Sequence, residues 1–130
     1  MKRIRWLTPA AVIAVHNELI LAYGGVAGVR APAALESALA RPKHLAAYKQ
    51  RVTMPQLAAA YAWGLLRNHP FIDGNKRIAL AALIMFLDLN GWELACSEAE
   101  ETAMILQAAA AETTEREWTD WVSRKTRKRS

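Results

Sequence analysis

Eleven residues near the middle of the chain, 67 to 77, read RNHPFIDGNKR. They gather a histidine, His69, an acid, Asp73, an asparagine, Asn75, and the adjacent cations Lys76 and Arg77, with Pro70 and Gly74 breaking the chain between them. An imidazole can take up a proton near neutral pH. Asp73, Gly74 and Asn75 spell a turn that leads into a helix. The start of a helix offers unpaired N–H groups and a partial positive charge, and so attracts anions. Lys76 and Arg77 oppose that dipole, at about 0.3–1 kcal/mol each on an exposed helix. A bound polyanion would remove the conflict, and phosphate is the obvious candidate. A carboxylate beside phosphates is an ordinary way to hold Mg²⁺, which bridges the two and keeps most of its waters. A base, a metal carboxylate, a backbone anion site and two cations together suffice for phosphoryl-group chemistry.

Each residue also has a plainer reading. A lone histidine in a loop is more often structural, Asp-Gly-Asn alone is turn chemistry, and Lys-Arg alone is a solvated face. It is their concentration between two helix-like apolar stretches that points to function. A zinc site is disfavoured: His69 and Asp73 are two ligands only, no cysteine is near, and His16 and His44 lie on other elements. Cysteine-nucleophile chemistry is disfavoured as well, since Cys96 has no histidine beside it.

Several helices must position this stretch. Thr8 can cap the first, Pro9 suits its first position and Gly24-Gly25 ends it, with Val12, Ile13, Leu19, Ile20 and Tyr23 forming an apolar face. GGVAGVR is a loop. Pro32 starts a shorter helix, PAALESALA, which Arg41-Pro42 stops, and residues 43–52 read as a loop or flap. Thr53 and Pro55 open PQLAAAYAWGLLRN, and a longer helix runs from about Asn75 to Gly91. Both are apolar nearly all round, as buried helices are. WELAC suits a short extended piece, and Ser97/Glu100 and Thr114/Glu117 are capping boxes for two last helices. The fold class expected is all-α, a compact bundle of five or six helices with the motif loop between two buried central ones.

The chain has 130 residues, which suits one domain. The net charge is +5, unevenly spread. Residues 1–77 hold eleven Lys or Arg against three acids, and residues 78–123 hold one Arg against nine acids. The end RKTRKRS adds five cations. A domain over 1–123 with a basic, disordered tail over 124–130 is the expected organisation. Such a short basic end is a poor case for direct nucleic-acid contact. One cysteine cannot form an internal disulfide, no run resembles a signal peptide, and no apolar run reaches membrane-spanning length, so a soluble cytoplasmic protein is expected.

HPFIDGNKR resembles the signature of the Fic/Doc superfamily, roughly His-x-Phe-x-Asp/Glu-Gly-Asn-Gly-x-x-x-Arg in its Fic branch. GGVAGVRAPAALESALARP and AAAYAWGLLRNHPFIDGNKRIALAALIMFLDLNGWEL look like the death-on-curing (Doc) toxins of bacterial toxin–antitoxin modules, and the likeness covers most of residues 1–95. Fic adenylyltransferases have Gly where this chain has Lys76, and a further Arg where it has Leu80. A lysine would occupy the space where backbone approaches phosphate, and a leucine cannot bind phosphate. Doc-type toxins share Asn-Lys-Arg and lack the second Arg. The resemblance implies an all-α fold and transfer of the terminal phosphoryl group of ATP to a protein hydroxyl, on translation elongation factor Tu, with adenylyl transfer as the alternative. Carried over, His69 would be the general base, Asp73 the Mg²⁺ carboxylate, and Gly74, Asn75, Lys76 and Arg77 the nucleotide-phosphate site. Phe71 would pack inward and anchor the loop, and residues 43–52 would match the family's target-docking flap.

A ribonuclease toxin would need neither the Mg²⁺ carboxylate nor the Gly-Asn turn, and a non-catalytic module would not need the intact motif. Some Fic proteins carry an inhibitory Ser/Thr-x-x-x-Glu-Gly/Asn helix. Here Ser97 and Glu101 are followed by Thr102, and Thr113 and Glu117 by Trp118, so neither fits. Restraint in trans is therefore expected, from a small Phd-like antitoxin that docks as an amphipathic helix in an apolar, basic-rimmed groove beside the site.

Overall fold

The computed structural model describes residues 3–129, in the order α1 (Pro9–Tyr23), α2 (Pro32–Tyr48), α3 (Met54–Asn68), α4 (Asn75–Leu89), β1 (Trp92–Leu94), α5 (Glu98–Ala109), α6 (Glu115–Lys125) and β2 (Thr126–Lys128). The all-α expectation holds, with one small two-stranded sheet added.

Local chemistry accounts for most helix ends. The Thr8 hydroxyl accepts from Ala11 N–H at 3.1 Å, with Pro9 in the first turn. Thr53/Gln56, Ser97/Glu100 and Thr114/Glu117 each form a reciprocal capping box. α3 and α4 occupy the centre. α2 and α6 pack against α3, and α1 packs against α4. The core between them contains Leu57, Tyr61, Leu65, Ile78, Leu83, Phe86 and Trp118, each essentially without solvent contact. Two buried polar side chains of the core find backbone partners. Leu7 N–H donates to the Tyr61 hydroxyl at 3.1 Å, and Trp118 Nε1 donates to Ala59 C=O at 3.1 Å.

Four expectations are corrected. α2 does not stop at Arg41-Pro42 but runs on to Tyr48, with Pro42 inside it and buried. A mid-helix proline forfeits a hydrogen bond, at about 3 kcal/mol. Here the ring joins Leu35, Ala38 and Leu39 on the face that packs against α3, so burial offsets that loss. Gly64 of α3 allows the close approach: a Cβ there would stand 3.4 Å from the backbone of Ala38. Consequently residues 43–48 are helix, and only a short turn around Arg51 remains of the expected flap.

The expected apolar face of α1 holds at Val12, Ile13, Leu19 and Ile20, which are buried or packed against the core, but not at Tyr23, and it includes a histidine. Its buried stripe is Val12, His16 and Ile20, while Tyr23 is 73% exposed.

Nor do the final cations form a disordered tail. Arg124 and Lys125 complete α6 at its negative end, and Thr126–Lys128 pair antiparallel with β1, Trp92 opposite Lys128. Lys125 pairs with Glu100 at 3.0 Å, Arg127 with Glu93 at 3.4 Å, and Arg129 with Asp88. The basic end is thus folded against the acid-rich half. The fold extends past residue 123.

Candidate active site

The motif loop is fixed at both ends. α3 stops at Asn68 because His69 turns left-handed, φ 45° and ψ 57°, while its N–H still bonds to Leu65 C=O at 3.2 Å. A left-handed residue other than glycine is strained and persists where its surroundings over-determine it. They do so here. The Arg30 guanidinium donates to His69 C=O and, at 3.4 Å, to Asn68 C=O. Arg30 and Ala31 N–H both donate to Pro70 C=O, at 2.8 and 3.1 Å. Val29 forms a β-bridge to Phe71, and Ile72 N–H donates to Gly28 C=O at 3.1 Å. The glycine-rich loop after α1 therefore straps the motif loop down from outside. The sequence signal for this was its run of glycines. At φ 126° Gly28 brings its backbone so near Ile72 that a Cβ would fall 3.1 Å from Cδ1.

From inside, Phe71 holds the loop as expected, 1% exposed. Its backbone is clamped by the Asn75 side chain, which accepts from Phe71 N–H at 3.1 Å and donates to Phe71 C=O at 3.0 Å. Asn75 is accordingly engaged in shaping the loop, and what it can offer an anion is its backbone N–H.

Asp73 is held ionised. Val26 N–H donates to Oδ2 at 3.2 Å and Gly74 N–H to Oδ1 at 2.8 Å; these bonds, the first above all, hold its carboxyl below the usual range. Gly25, at φ 117°, has to be glycine at this point, because a Cβ would sit 2.6 Å from Asp73 Oδ2. Each carboxylate oxygen retains a lone pair. An ionised acid at a helix N-terminus fits Mg²⁺ that takes its other ligands from phosphate and water.

Arg77 differs from its reading as a bare cation in conflict with the α4 dipole. Its Nη1 donates to Gly24 C=O at 3.0 Å and Leu19 C=O at 3.4 Å. The negative end of α1 thus compensates it from within the chain. The unresolved conflict is that of Lys76, exposed and without an ion-pair or hydrogen-bond partner among the described residues.

His69, Asp73, Gly74, Asn75, Lys76 and Arg77 nevertheless line one open pocket of about 450 Å³, with Ile72. All six residues singled out in the sequence come together. Larger clefts lie elsewhere, of about 800 Å³ at Arg3, Arg5 and Asn90 and about 750 Å³ between α2 and α6. The second holds His44 and the start of α6, but Glu115 and Glu117 already occupy that helix end with negative charge, so it does not invite an anion. Chemistry, not size, selects the smaller one. His16 is the residue that sequence reasoning set aside. It is buried behind the loop, with Nε2 2.7 Å from Asp73 C=O.

A histidine leaving one buried helix and an anion-ready start of the next, joined by a clamped Phe-x-Asp-Gly-Asn loop, place the chain in a definite class. Residues 6–87, spanning α1 to α4, match the Fic/DOC family, and the chain belongs to it. It is similar to a protein named Protein kinase doc from Escherichia phage P1, 34% identical over 88 residues that cover 68% of this chain and 70% of that protein. It is also similar to one named Toxin Doc from Mycolicibacterium smegmatis, 44% identical over 78 residues that cover 58% of each.

Proposed function

We propose that this chain is a Doc-type toxin that transfers the terminal phosphoryl group of ATP to a hydroxyl of a protein in the cytoplasm, with elongation factor Tu as the target, and so halts translation. The observation that carries this is the start of α4. Lys76 stands exposed where the Fic branch has glycine, and Leu80 is half-buried against the core where that branch has arginine. The backbone-only approach to a nucleotide's inner phosphates is thereby narrowed. A flexible cation and free N–H groups remain for the outer ones.

His69, exposed at the pocket's rim, takes the proton from the attacking hydroxyl. The hydroxyl oxygen forms the new bond to the terminal phosphorus as the bond to the bridging oxygen breaks, and ADP leaves. Lys76, Arg77 and the N–H groups opening α4 hold the phosphates. Mg²⁺, when bound beside Asp73, supplies charge neutralisation on the transferred group.

The distinguishing experiment is label transfer. Label from γ-labelled ATP should appear on the protein target, and label from α-labelled ATP should not. The reverse result would make the chain an adenylyltransferase.

Restraint in trans belongs to the same proposal. A Phd-like antitoxin, docking as a helix beside the pocket, is its partner. Expression of the chain alone should arrest growth, and co-expression with the neighbouring small open reading frame should restore it. Harmless accumulation of folded protein without a partner would refute this part.

A further inference from the structure

We propose that His16 is a positioning residue of the site, acting through the peptide that joins Asp73 to Gly74. Among the described residues it is the buried polar side chain of the core, 1% exposed. It sits on α1 between Val12 and Ile20, a slot that a leucine would fill without any polar group to satisfy. Its imidazole leaves Nδ1 buried with no partner, an unfavourable arrangement. What the ring offers that leucine would not is the bond of 2.7 Å between Nε2 and Asp73 C=O. A carbonyl only accepts, so Nε2 carries the hydrogen.

Three motif residues are fitted around this ring. Phe71 stacks on it, centroids 3.8 Å apart and planes 12° from parallel. Asp73 presents its carbonyl to it. Gly74, at φ 75°, would bring a Cβ to 3.4 Å from Nε2 if it had one.

The consequence follows from peptide geometry. In a trans peptide the C=O and the following N–H point in opposite directions. Anchoring the Asp73 oxygen inward therefore aims the Gly74 N–H outward, where it lies 2.8 Å from Asp73 Oδ1. The glycine that makes the turn possible also leaves this peptide free to rotate, because it tolerates φ of either sign. His16 removes that freedom. It thereby fixes the direction of the Gly74 N–H and, through its bond to Oδ1, the seat of the Asp73 carboxylate.

The activity arm of the test rests on the phosphoryl-transfer reading; the structural arm does not. His16→Leu removes the donor and keeps an apolar filler. His16→Gln returns an amide N–H at nearly the reach of Nε2, and His16→Asn is polar but too short. Amide hydrogen exchange at Gly74 and kcat with KM for phosphate transfer are measured for each, with circular dichroism to verify folding. Leu and Asn variants should show at least tenfold faster exchange at Gly74 and at least tenfold lower kcat, with KM for the protein acceptor within twofold. The Gln variant should lie within threefold of wild type on both. If Leu does not fold, the Gln–Asn pair carries the comparison. Unchanged Gly74 exchange in Leu or Asn, or equal losses in Gln and Asn, would reduce His16 to a packing residue. A wild type without phosphoryl transfer would sink the proposed function and leave His16 to be judged on the exchange at Gly74.

Discussion

His69→Ala is expected to abolish both phosphate transfer and toxicity. Loss of a positioned general base costs about 10²- to 10⁴-fold in rate. The fold should survive, because the side chain is exposed and makes no hydrogen bond among the described residues; its neighbours hold its backbone instead. Alanine is slightly disfavoured at φ 45°, so His69→Asn is the companion variant: asparagine tolerates the left-handed region and cannot take the proton. Both should be inactive with a near-native melting temperature. Continued growth arrest at equal expression in either would show that the base lies elsewhere.

The second large effect separates two neighbouring cations. Lys76→Ala should weaken ATP binding about tenfold, which is roughly 1.4 kcal/mol. It should leave stability unchanged or raise it by about 0.3–1 kcal/mol, since a cation is removed from a positive helix end. Arg77→Ala should weaken ATP binding by at least as much and also destabilise the protein. The carbonyls of Gly24 and Leu19 at the end of α1 lose a charged donor, worth about 1.5–3 kcal/mol. Nucleotide titration and chemical denaturation on the same two samples measure both. Unchanged nucleotide affinity in both variants would remove the phosphate role from the start of α4. Equal stability losses would mean that Lys76 is anchored like its neighbour.

What the sequence determined by itself is local. Thr8, Thr53, Ser97 and Thr114 cap their helices because each places an oxygen within reach of an N–H two or three residues on, whatever lies further away. The apolar character of α3 and α4 made them the centre, and the spacing of His69, Asp73, Asn75, Lys76 and Arg77 made the turn between them the candidate site. What the tertiary structure decided is whatever depends on residues distant along the chain. α2 runs through Pro42 because burial against α3 outweighs a missing hydrogen bond, and no window of sequence contains both terms. The basic end pairs with β1 because Glu93, Glu100 and Asp88 of the acid-rich half are within reach only once α5 and α6 have folded back. His16 meets Asp73 across 57 positions, and Arg77 meets Gly24 across 53. A buried imidazole and an apolar residue make the same helical stripe in a sequence. Only the packing of α1 against α4 shows which carbonyl the ring was placed to hold, because hydrogen bonding depends on distance and direction and helical periodicity carries neither between elements.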